Sequence, residues 1–166
     1  MSGNLHSKEA VEKLQSLVGS CSTCLFGTAL GTIPIHVIPM QVQEVDDHGN
    51  LWLFSGADSM HNGHLANDPR VQMFFTNHND GEYLTVSGHA VISHDRAKIG
   101  KLWDPTVEAW FPDGKEDPNV TLLCVSPTDV HYWASKHGKF VSLVKMAGAA
   151  ISGNPPDAGM EGDLSV

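Results

Sequence analysis

Tyr83-Leu84-Thr85-Val86-Ser87-Gly88-His89-Ala90 is the stretch on which the fold turns. Tyr83, Thr85, Ser87 and His89 alternate with Leu84, Val86, Gly88 and Ala90, the two-residue period of a strand with one polar face and one core face. Just upstream, Arg70 to Thr76 reads as a second strand, and Asn77-His78-Asn79-Asp80-Gly81 is the turn between them. Further back, Leu51-Trp52-Leu53-Phe54 is a buried strand behind the turn cluster Asp46-Asp47-His48-Gly49-Asn50. Cys24 to Leu30 and Ile33 to Val45 are β-rich runs separated by Gly31-Thr32, hairpin punctuation that pairs them antiparallel. Downstream, Val120 to Val125 and Asp129 to Ala134 supply the last two strands.

Helical segments lie between these runs. From Ser7 to Val18, Val11, Leu14, Leu17 and Val18 recur at helical spacing. Ser55 to Asn67 lacks strand character and ends at Asp68-Pro69 as a short helix should. His94 to Phe111 is helical and is broken in two by Pro105, with a polar loop from Pro112 to Asn119. Six or seven antiparallel strands with helices between them predict a mainly β (α+β) fold, a closed or partly closed barrel. Residues 1–152 form one domain in this reading. Phe140, Val141, Leu143, Val144 and Met146 lead into residues 153–166, whose Gly, Pro and acidic content predicts a flexible tail.

A chain of 166 residues that is 41% hydrophobic buries one core. No run approaches the roughly 20 apolar residues of a membrane-spanning helix, and Met1-Ser2-Gly3-Asn4 lacks a secretory layout, so a cytoplasmic protein is expected. The formal charge is −9 with no basic cluster, which disfavours nucleic acid and membrane surfaces as partners. Arg70 and Arg96 are the two arginines, too few for the usual forks on a ligand phosphate. Cys21-Ser22-Thr23-Cys24 leads into a strand rather than opening a helix, so its thiols read as buried or incidental. His61 and His64 share a helix face, but no third ligand is indicated, which leaves metal or haem binding the weaker alternative.

A resemblance to a known family enters at Leu51-Trp52-Leu53-Phe54-Ser55-Gly56-Ala57-Asp58-Ser59-Met60-His61, followed by Leu65-Ala66-Asn67-Asp68-Pro69-Arg70-Val71. It continues in order through Tyr83 to Ala90, Ala97-Lys98-Ile99, Leu102-Trp103, Ala109-Trp110-Phe111-Pro112-Asp113-Gly114-Lys115 and Tyr132-Trp133. Together these resemble the general stress branch of the pyridoxamine 5'-phosphate oxidase-like, flavin-binding split barrels. The resemblance implies a split β-barrel homodimer with flavin mononucleotide (FMN), or the dinucleotide FAD, in grooves between the chains. It implies cofactor contacts from Ile38, Pro39 and Met40, whose backbone would lie along the flavin ring edge. Phe54, Ser55, Gly56, Ser59, Met60 and His61 would lie around the phosphate, Tyr83 would reach toward the ring, and Trp103 and Trp110 would close the pocket.

Two departures stand out. Ile38 occupies a position where many relatives carry Arg, and His61 one where they carry Lys, so a protonated His61, or Lys136 or Lys139 of a partner chain, would have to supply the missing charge. The function implied is a flavin-dependent oxidoreductase acting on an unnamed small molecule, with a non-catalytic flavin carrier or sensor as the alternative. No Arg follows Arg96, so the pyridoxamine 5'-phosphate oxidase reaction itself is not expected.

Overall fold

Inside-outside alternation is as regular in space as it is in the sequence. In the computed structural model, which describes residues 5–134 and 160–166, Ile38, Phe26, Met73, Val86 and Val130 stand in one cross-strand row. Met40, Cys24, Phe75, Leu84 and Tyr132 form the next inward row, and Pro39, Leu25, Phe74, Thr85 and His131 lie between them on the outer face. Phe26, Met73 and Val86 are fully buried, each contributing roughly 1.5–3 kcal/mol relative to exposure.

The strands are β1 (Leu5–His6), β2 (Thr23–Thr28), β3 (His36–Val45), β4 (Leu51–Gly56), β5 (Arg70–Asn77), β6 (Glu82–Ser93), β7 (Val120–Ala134) and β8 (Met160–Ser165). The helices are α1 (Ser7–Ser20), α2 (Met60–Asn67), α3 (Arg96–Leu102) and α4 (Pro105–Glu108). Strands run in the order β7-β4-β3-β2-β5-β6, and β6 returns to β7, closing a six-stranded antiparallel barrel. Ala10, Leu14, Leu17 and Val18 of α1 join the barrel core. Pro105 starts α4 rather than merely ending α3, because Asp104 caps the new helix by accepting from the N–H groups of Thr106 and Val107. Among the described residues no helix is long and apolar enough to cross a membrane.

Three sequence expectations change. The two last strands are one 15-residue strand, β7. Its register against β6 shifts between Ser87 and Gly88, and Pro127 sits at that bulge, where a missing N–H is tolerated. A side chain on Gly88 would place its Cβ 2.5 Å from the Ser126 carbonyl oxygen, so only glycine fits there. The expected flexible tail is a strand over residues 160–165: β8 pairs antiparallel with β7 from His131 to Ala134. Its acids alternate with buried Gly162 and Leu164, and Asp163 meets His131 Nδ1 at 2.5 Å, so the acidity belongs to an outer strand face. Residues 135–159, with Lys136 and Lys139, lie outside the described residues. The Gly31-Thr32 turn widens into a connection between Thr28 and His36, with Ala29 at φ 54°, while the flanking strands pair antiparallel as expected.

Candidate functional site

The barrel is incomplete at one seam. β4 pairs with β3 only where Leu51 to Leu53 oppose Val42 to Val45. Beyond Leu53, β4 stays on β7, with Ser55 opposite Thr121 and Gly56 opposite Val120, while residues 36–41 of β3 pair only with β2. The Val42 N–H donates to the Ser22 carbonyl at 2.8 Å, so strand alternation turns the backbone groups of Val37, Pro39 and Gln41 away from β2 and toward the seam. A proline is tolerated at such an open edge because it has no N–H to leave unpaired.

Helix α2 closes the end of this split. Ser59 caps it, its Oγ accepting from the Asn62 N–H at 3.2 Å. The N–H groups of Met60 and His61 have no acceptor among the described residues, as expected for a first helical turn. Behind the turn lies a buried polar network. Ser55 Oγ donates to Asn62 Oδ1 at 2.5 Å, Asn62 Nδ2 donates to Thr121 Oγ1 at 3.2 Å, and Thr121 Oγ1 donates to the Ser55 carbonyl at 2.8 Å. Ser55, Asn62 and Thr121 are each at most 3% exposed, and no buried side-chain polar atom among the described residues lacks a partner. Satisfaction matters because a buried hydroxyl or amide left unpaired costs about 1–3 kcal/mol.

Two imidazoles of α2 face the same end. His61 Nε2 lies 2.7 Å from Ser55 Oγ, and His64 Nδ1 lies 2.9 Å from Oγ1 of fully buried Thr28. His36, opposite Thr28 on β3, meets the His64 ring edge-on at 5.1 Å between centroids. Burial, then the nearby His36 and His64, push the His61 pKa below its usual value. Among the described residues no group of His, Cys, Asp or Glu is arranged to hold a metal ion.

The structure thus brings Ser55, Gly56, Ser59, Met60 and His61 to the β4–α2 turn. Ile38 joins them through Phe26, which it opposes and whose ring lies 6.5 Å from that of His61. Pro39 and Met40 lie along the split, Pro39 exposed and Met40 packed inward opposite Cys24. Phe54 points the other way from Ser55. With Trp103 and Phe111 it forms a second small core over Ile99, Val120 and Leu122, ring centroids 5.7–6.4 Å apart. Tyr83 lies on the outer face, 41% exposed, and Trp110 is 82% exposed. Sequence reasoning missed Thr28, His36, Asn62 and Thr121; only buried polarity in an apolar run, as in Val120-Thr121-Leu122, hints at them.

Four cations among the described residues are engaged elsewhere. Asp68 holds Arg70 through bonds of 2.7 and 2.9 Å, and Arg96 donates to the carbonyls of Lys115 and Asp117. Lys98 and Lys101 both pair with Glu44. Cys24 is buried in the barrel, which pushes its thiol up to about 12 and keeps it protonated, while Cys21 Sγ donates to the Thr76 carbonyl at 3.1 Å.

The pyridoxamine 5'-phosphate oxidase-like family model matches residues 9–157, most of the chain. The chain belongs to that family. General stress protein 26 of Bacillus subtilis is 33% identical over 82 residues, covering 48% of this chain and 58% of that protein. Protein bli-3 of Neurospora crassa is 31% identical over 99 residues, covering 55% and 47%. The chain therefore matches about half the length of each of these relatives. A solved structure from Xanthomonas citri, a general stress FMN/FAD binding protein, is 30% identical with a TM-score of 0.68, covering 79% of this chain and 92% of that one. A structure from Jannaschia sp. CCS1 shares the fold at a TM-score of 0.77 and 23% identity, over 95% and 99% of the two chains.

Proposed function

We propose that this protein is a flavin-binding stress protein of the pyridoxamine 5'-phosphate oxidase-like family, a cytoplasmic homodimer that holds FMN, with FAD as the alternative, in the barrel's split. The observation that carries this reading is the pairing of an open β3 edge with the N–H donors of the β4–α2 turn. The free N–H groups of Met60 and His61, with the positive end of the α2 dipole, suit a phosphate monoester. The edge backbone of Val37, Pro39 and Gln41 suits the polar rim of a planar ring. Flavin binding is also what the Xanthomonas citri protein's name records for it.

Bound flavin would supply hydride or electron transfer that no side chain offers. The chain's own part is positional. Ser55 and Asn62 fix the turn from behind, Ser59 holds the first helical turn, and β3 offers an unpaired edge against which a ring would be oriented. Arg70 is held by Asp68 and Arg96 by the Lys115 and Asp117 carbonyls, which fits a role other than pyridoxamine 5'-phosphate oxidation.

The dimer rests on the outer sheet face. Leu25 and Phe74 lie side by side next to Pro39, with Tyr83 and Trp133 paired nearby, and Leu25 is 51% exposed. A contiguous exposed apolar run marks an interaction surface, and a second copy of the chain suits it. Three free cysteines fit a reducing compartment.

The test is the absorption spectrum of the purified protein, identification of the chromophore released on denaturation, and a light-scattering mass. FMN or FAD bound to a dimer supports the reading. A colourless protein that takes up neither flavin overturns it. Turnover of reduced nicotinamide cofactors by the loaded protein separates an oxidoreductase from a carrier or sensor.

A further inference from the structure

Three imidazoles stand together at the site among the described residues. His61 and His64 lie on α2, and His36 opens β3 directly across from Thr28. Hydrogen bonding fixes the state of His61. The single hydroxyl proton of Ser55 goes to Asn62 Oδ1, so Ser55 Oγ accepts from Nε2–H of His61. The neutral His61 ring therefore carries its lone pair on Nδ1, which repels an anion; one added proton turns that atom into a donor. Nδ1 of His61 and Nε2 of His64 have no hydrogen-bond partner among the described residues.

We propose that His36, His61 and His64 together form an anion subsite, and that a ligand phosphate is bound there with protons taken up by these imidazoles. The proposal rests on the flavin reading above and names the residues and the protonation state by which the phosphate is held. Its physical basis is mutual. Without an anion, charging one ring opposes charging the next, and burial and the two neighbouring rings both depress the His61 pKa. An anion among the rings offsets that repulsion, so binding and protonation favour each other.

Among the described residues, the surrounding elements leave this charge balance largely to the histidines. β2, β4 and β7 present the neutral Thr28, Ser55 and Thr121. Asp58 on the turn is exposed, beside Gly56, and works against an anion. At the far end of α2, Asp68 is paired with Arg70, and His89 of β6 acts on Asp68.

The experiment titrates flavin-stripped full-length protein with FMN and with riboflavin, which lacks the phosphate, between pH 6 and 8.5 by flavin fluorescence. FMN affinity should fall about tenfold or more as pH rises, and riboflavin affinity should stay flat. The phosphate's own second ionisation, near pH 6, pushes the other way, so the observed fall is a lower bound. His61→Lys should flatten the FMN profile and bind about five- to thirtyfold more tightly at pH 8.5, as a permanent charge-assisted bond requires. His36→Gln and His64→Gln should each reduce the slope, and Asp58→Asn should tighten FMN at every pH. Parallel FMN and riboflavin profiles in the wild type would overturn the subsite and leave the flavin reading standing, with no variant needed. Failure of both flavins to bind at any pH would overturn the flavin reading and the subsite with it.

Discussion

Helices α2 and α3 pack against opposite faces of β4 and are fastened by different chemistry. α2 is tied to the inward side through Ser55, Asn62 and Thr121, all neutral and all buried. α3 is tied to the outward side, where Lys98 and Lys101 pair with Glu44 and Lys98 also lies 4.6 Å over the Trp52 ring. Below them Phe54, Trp103 and Phe111 form their own small core. Lys98 and Lys101 beside β4 thus serve the scaffold, and the candidate site presents imidazoles instead. Trp103, which the family resemblance assigns to closing the flavin pocket, packs within one chain against Phe54 and Phe111 on the scaffold side.

Breaking the α2 side should have the larger effect. Asn62→Leu removes the acceptor for Ser55 and the donor to Thr121, and should destabilise the fold by about 3 kcal/mol, because the hydroxyls left behind are buried. Urea unfolding should give the same loss at 0.05 and 0.5 M salt, since no formal charge is involved.

Breaking the α3 side should cost less and depend on conditions. Lys98→Met should destabilise by about 1 kcal/mol at low salt and by roughly half of that at 0.5 M. The Lys98 hydrogen bond, against the opposing effect of burial and with Lys101 assisting, holds Glu44 below its ordinary carboxylate pKa. Its contribution is therefore complete above the ordinary carboxylate range and is lost as pH falls through the lowered value, so variant and wild type should converge in acid.

The smallest effect separates the two sides by pH. The His61 pKa is lowered in the folded protein, chiefly by burial, so the unfolded chain binds more protons in the window just below the ordinary histidine value of about 6.5. Ligand-free stability should rise with pH through that window and level off above it. His61→Gln should remove this part of the slope, while Lys98→Met leaves it in place; thermal melts across pH 5 to 8 check both.

Most of the barrel was legible because alternation reports a strand's core face directly, as from Leu84 to Ala90. The α2 boundary was legible from Asp68-Pro69, and it was the family resemblance that grouped Ser55, Ser59 and His61 at one turn. What a linear pattern cannot report is which strands become neighbours. Thr28 and His36 meet α2 only because β2 and β3 both end beside it, and Thr121 meets Ser55 only through the β4–β7 register. β8 was hidden because acids on alternate positions read as solvated tail until a partner strand is known. The parity of β4 was readable all along: neighbours on a strand face opposite ways, so Phe54 and Ser55 point to opposite faces.

The most direct test of the central claim is a crystal structure of the FMN-loaded protein. The phosphate should lie within hydrogen-bond reach of the Met60 and His61 N–H groups, and the ring along the β3 edge from His36 to Gln41. Flavin density on the outward face, against Phe54 and Trp103, or anywhere else away from the split, would contradict it.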